Sequence, residues 1–71
     1  MDKDFYKKLG QWLSEKRKEK KLTQPEVARR MNTTKQCICN WEKGLRPMSA
    51  EKLVKYCEVC GIDLMEFVKC L

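Results

Sequence analysis

The helix ends constrain this chain more than anything else in it. Thr23, Thr34, Ser49 and Asp63 are each the kind of small polar residue that caps a helix N-terminus by accepting from a free backbone N–H. Three of them stand between apolar residues five apart, Leu22 and Val27, Met48 and Leu53, Ile62 and Phe67, which is the spacing of a hydrophobic staple. Glu26 and Glu66, three residues after Thr23 and Asp63, make those two sites capping boxes. Pro25 falls in a first helical turn, where a missing N–H costs little. Asn32, Gly44 and Gly61 are residues that accept the left-handed backbone of a helix stop. Between these marks the apolar spacing is helical, and no segment alternates as a half-buried strand does. Five helices are therefore expected. The first runs from about Asp4 to Lys20, the second from Thr23 to near Met31, and the third from Thr34 to Lys43. The fourth follows Pro47 on the cap Ser49 and closes at Gly61, and the fifth opens on Asp63. The fold class is all-α, with residues 1–71 as a single domain.

A domain of 71 residues has a thin core, burying about 60% of the surface its unfolded chain exposes. Its 42% hydrophobic residues are enough to fold it, and no apolar run approaches the roughly 20 residues of a membrane span. The start, Met1-Asp2-Lys3-Asp4-Phe5, has no apolar region of the secretory kind, so a cytoplasmic setting with no membrane partner is expected. The formal charge of +6 points to a polyanionic partner. That charge is uneven: residues 1–50 carry 13 Lys and Arg against 6 Asp and Glu, whereas residues 51–71 carry 3 against 4. One part of the domain is expected to meet the polyanion while the other does something else.

No histidine is present, which removes Ser-His-Asp and Cys-His catalysis and imidazole metal ligands together. There is also no glycine-rich phosphate loop and no pair of carboxylates on one face, so an enzyme is not expected, nor a cofactor. The five cysteines are Cys37, Cys39, Cys57, Cys60 and Cys70. Cys57 and Cys60 have metal-site spacing, but they also fall on the apolar stripe of the fourth helix with Leu53, where cysteine behaves as a small hydrophobe. Cys37 and Cys39 lie two apart on one helix and point roughly opposite ways, which suits no tetrahedral site shared with the other pair. No metal site is expected.

In the first helix Phe5, Leu9 and Leu13 recur every fourth residue, and Arg17 is next on the same stripe. A charge facing the core requires a partner. The third helix buries only Ile38 and Trp41, with Glu42 beside them, and turns Lys35, Gln36, Cys39 and Asn40 outward. It is joined to the short second helix by Met31-Asn32-Thr33, and Ala28 is small enough for the two to pack closely. This is the pattern of a helix-turn-helix, with the motif at about residues 23–43. Lys35, Gln36 and Asn40 lie on one outward arc, and each suits a major-groove base edge: Lys for guanine, Gln and Asn for adenine. Gln24 and Thr34 sit at helix N-termini, where phosphate is favoured.

The stretch from Leu9 to Val68 resembles the phage-repressor type, Cro- and XRE-like helix-turn-helix domain. The matching pieces are Leu22-Thr23-Gln24-Pro25-Glu26-Val27-Ala28 and Thr34-Lys35-Gln36-Cys37-Ile38-Cys39-Asn40-Trp41-Glu42-Lys43-Gly44, followed by Pro47, Leu53, Gly61 and Ile62-Asp63-Leu64. The resemblance implies a compact five-helix bundle of the lambda-repressor kind. It implies base reading by Lys35, Gln36 and Asn40, with Cys39 at a lesser position, and phosphate contacts from Gln24, Thr34, Lys43 and Arg46. It also places an ion pair between Arg17 and Glu42, the partner that the first-helix stripe requires independently. Two departures stand out: Asn32 replaces the usual turn glycine, and Cys37 and Cys39 stand where Ser or Thr is usual.

The resulting expectation is a sequence-specific regulator of transcription that binds double-stranded DNA at a pseudo-palindromic operator. It represses by occupancy, as a homodimer formed through the fifth helix and the loop Leu45–Met48. The alternative is a protein-interaction module, such as an antitoxin or co-regulator, that uses the same fold to hold a partner protein. The neutral back half, Trp12 and the apolar fifth helix motivate it. Trp12 is expected to pack under the fifth helix.

Overall fold

The computed structural model describes residues 3–70. Five α-helices follow one another: α1 (Lys3–Glu19), α2 (Gln24–Arg30), α3 (Lys35–Glu42), α4 (Ala50–Cys60) and α5 (Leu64–Lys69). No strand occurs among the described residues. Each boundary falls within a residue or so of the one expected from the caps.

The caps form as expected at their N-terminal ends. Thr23, Thr34 and Ser49 accept from the backbone N–H groups of Glu26, Cys37 and Lys52. The Thr23 capping box closes only halfway, and the Asp63 box closes in neither half. Glu26 turns its carboxylate to Arg30, at 3.0 Å, and Glu66 turns to Lys16, at 3.2 Å. Asp63 accepts from the N–H of Met65 rather than that of Glu66. An available cation outcompetes a backbone N–H for these surface carboxylates.

The stops of α1 to α4 share one geometry. Lys21, Asn32, Gly44 and Gly61 all have positive φ, at 59°, 57°, 73° and 68°. After each, the next residue's N–H reaches back five positions: Leu22 to the Arg17 carbonyl, Thr33 to Ala28, Leu45 to Asn40 and Ile62 to Cys57. These are Schellman closures, and they satisfy carbonyls that helix ends leave free. Asn32 and the two glycines suit the conformation, whereas Lys21 holds it against the steric preference of a residue with a Cβ.

The core gathers Leu9 and Leu13 of α1, Val27 and Ala28 of α2, Ile38 and Trp41 of α3, and Tyr56, Cys57 and Cys60 of α4, with Phe67 from α5. Cys57 and Cys60 are hydrophobic packing, and burial pushes both thiols up to about 11, away from the nucleophilic thiolate. Trp12 is half-buried and packs on Phe67, with ring centroids 5.4 Å apart. Met48 is also buried, so the loop after α3 exposes Leu45 and Arg46 but not its last residue.

Two glycines set how closely α1 lies to α3. A Cβ on Gly10 would overlap the Trp41 carbonyl oxygen, and one on Gly44 would fall 2.7 Å from the Lys7 Cα. Backbone meets backbone at both places. Gly10, inside α1, is a poor helix former, and the close crossing is the reason it is there.

Candidate nucleic-acid interface

The outward face of α3 is held in place from behind by one carboxylate. Glu42, the last residue of α3, is 8% exposed and takes four hydrogen bonds from three other elements. Arg17 of α1 binds it with both Nε and Nη2, at 2.8 and 3.1 Å. Tyr56 of α4 donates its hydroxyl at 2.6 Å, and Gln24 at the start of α2 donates its amide at 3.0 Å. Arg17 also donates through Nη1 to the Leu22 carbonyl, at 2.7 Å, tying in the loop before α2. Among the described residues no buried side-chain nitrogen or oxygen lacks a partner.

Burial alone pushes the Glu42 carboxyl up, but the bonds from Arg17, Tyr56 and Gln24 outweigh it and hold it below the usual carboxylate value. Glu42 in turn holds the Arg17 guanidinium charged. Burial first, and the bond to Glu42 second, push the Tyr56 phenol far up, so it remains a donor. The Arg17–Glu42 pair is where the stripe of the first helix requires it. Tyr56 was not singled out from the sequence, although it stands on the α4 stripe between Leu53 and Cys60, and a buried phenol needs a partner.

With α3 anchored in this way, its polar side faces solvent. Lys35 and Gln36 are exposed, and Cys39 and Asn40 are half-buried on the same short helix. Gln36 and Asn40 are in contact, the Gln36 amide donating to Asn40 Oδ1 at 3.0 Å. Cys37, by contrast, packs partly against the core. Lys35 and Gln36 occupy the first turn of an eight-residue helix.

The residues expected at phosphate are distributed around this face. Thr34 is exposed and uses its hydroxyl oxygen to cap α3, which leaves its O–H proton to donate outward. Gln24 gives one amide N–H to Glu42 and keeps a second. Lys43, just past α3, lines a shallow groove with Lys7 and Lys18 of α1, two lysines that the sequence did not single out. Arg46 is exposed in the following loop. A second tether fixes α2 from outside: Arg30 donates to the Val59 carbonyl of α4 at 2.9 Å.

Two short helices packed on each other, the second presenting a polar face clear of the core, define a helix-turn-helix domain, the class of DNA-binding transcription regulators. The Cro/C1-type helix-turn-helix family matches residues 13–67, and the chain belongs to that family. No curated protein and no solved structure matches it. No helix among the described residues is long and apolar enough to cross a membrane.

Proposed function

We propose that the chain is a sequence-specific regulator that represses transcription by occupying an operator in double-stranded DNA. In this reading α3 enters the major groove. Lys35, Gln36 and Asn40 read base edges, with Cys39 at a lesser position, and Gln24, Thr34, Lys43 and Arg46 hold phosphates. The observation that carries it is the division of α3 into two sides: Ile38, Trp41 and Glu42 are locked into the core, while the amide and ammonium groups opposite them face solvent.

The proposed unit is a homodimer in the cytoplasm. A single module reads only a few base pairs, and two-fold pairing doubles that number. Leu45 after α3, 69% exposed, and Met65 and Val68 on α5, about half exposed, are the large apolar residues that this loop and this helix offer for the pairing. Half-sites would then lie one helical turn, about 34 Å, apart.

A binding selection on randomised duplex DNA at about physiological salt tests the proposal. The expected result is a two-fold symmetric site. A folded protein that enriches nothing would refute it and leave the second reading, in which α5 holds a partner protein. The half-exposed Met65 and Val68 favour that alternative, and a domain of this kind can do both.

A further inference from the structure

We infer that Gln36 and Asn40 read DNA as one unit, in which Gln36 recognises an adenine and Asn40 braces it while donating to a purine or thymine next to it. This inference rests on the proposal that α3 enters the major groove, and it assigns the bases at that site. The observation behind it is the bond between the two amides on the solvent side of α3, Gln36 Nε2 to Asn40 Oδ1, one helical turn apart at 3.0 Å.

A primary amide has two N–H donors and one carbonyl acceptor. The bond takes one N–H from Gln36. What remains is one donor beside one acceptor, which complements the N7 acceptor and N6 amino donor of adenine. Guanine presents two acceptors, N7 and O6, and would set its O6 against the Gln36 carbonyl oxygen. On Asn40 the bond takes one of the two lone pairs of Oδ1 and leaves both Nδ2 hydrogens to donate. Their complements in the major groove are guanine O6 and N7, adenine N7 and thymine O4, whereas cytosine offers only its amino donor and is disfavoured.

The sequence alone suggests that both amides seek adenine. The bond between them separates their roles: one adenine reader, and one donor whose orientation is set by its neighbour. Because Gln36 is exposed and Asn40 half-buried on the solvent side, substitutions here leave the core intact.

The test is the duplex selection repeated with Gln36→Ala, Asn40→Asp and Asn40→Ala, each confirmed folded by circular dichroism. The wild-type half-site should contain an adenine next to a base other than cytosine, with other bases at the adenine position weaker by roughly ten-fold. Gln36→Ala should abolish the adenine preference. Asn40→Asp keeps an oxygen for Gln36 to donate to and replaces Nδ2 by a second acceptor. It should therefore retain the adenine and turn the neighbouring preference toward cytosine or adenine, whatever the added charge does to total affinity. Asn40→Ala removes the brace and should weaken both preferences together. If Asn40→Asp loses the adenine, or Gln36→Ala keeps it, the shared-unit reading is wrong while DNA reading by α3 stands. If wild-type protein selects no site, the functional proposal itself falls and takes this inference with it.

Discussion

Gly10 and Trp41 meet backbone to backbone: a Cβ at Gly10 would overlap the Trp41 carbonyl oxygen and come within 2.6 Å of the Glu42 carbonyl oxygen. Carbonyls at the end of a helix cannot rotate away as a side chain can. Gly10→Ala should therefore destabilise the protein, although alanine favours a helix interior by about 1 kcal/mol over glycine. Overpacking of this kind costs about 1–3 kcal/mol, and rigid backbone neighbours put this site at the upper end. Urea denaturation of both proteins measures the difference. A more stable variant would mean that α1 and α3 do not cross this closely.

The four bonds to Glu42 should rank by burial and charge. Glu42→Ala strands the buried Arg17 guanidinium and should cost about 3–5 kcal/mol. Tyr56→Phe removes one hydrogen bond to a charged group and should cost about 1.5–3 kcal/mol. Gln24→Ala, acting on a partly buried bond, should cost less than either. Thermal melts of the three variants give the order, and a double-mutant cycle between Arg17 and Glu42 gives their coupling.

Stability should fall at both ends of the pH scale, for different reasons. The folded-state pKa of Glu42 lies below its ordinary 4.5, so its contribution is complete above that value and is lost as pH falls through the folded value. Cys57 and Cys60 are raised from 9.0 to about 11, so their contribution is complete below pH 9 and is lost as pH rises toward 11. Tyr56, also raised, adds in the same direction above pH 10. Denaturant midpoints across pH should decline on both flanks. Cys57→Ala, whatever it costs at neutral pH, should reduce the alkaline decline; an unchanged decline would exclude that thiol as a cause.

Lys21 and Asn32 provide an internal comparison of left-handed helix stops. Lys21→Gly should stabilise the domain by about 0.5–1 kcal/mol, because relief of the Cβ strain exceeds the added freedom of the unfolded chain. Asn32→Gly should be close to neutral, since asparagine already tolerates the conformation. Melting temperatures decide both, and equal effects at the two sites would contradict the steric explanation.

Arg46→Ala tests the phosphate side of the proposed interface. Binding should weaken by a similar factor on every duplex, and the slope of log affinity against log salt should become shallower by about one. A changed base preference would instead place Arg46 at a base edge.

The helices, and where they begin and end, are legible in the order of residues along the chain. Caps, staples and left-handed stops act between residues at most five or so apart, so Thr23, Thr34, Ser49, Asn32 and Gly61 could be read without knowledge of the fold. The same order of residues also announced a buried ion pair, because Arg17 stood on an apolar stripe where a charge cannot remain alone. What lies across the helix crossings follows only from the packing of distant segments. Tyr56 reaches Glu42 over 14 residues, and Gly10 lies against the end of α3, because α1 and α4 pass that helix at particular depths and angles. The same holds for the Glu66 carboxylate, which left its capping box for Lys16 of α1, whereas Glu26 found its cation, Arg30, one turn along its own helix. Local backbone chemistry is written within a single turn of chain, whereas a contact between distant segments exists only once packing has brought them together.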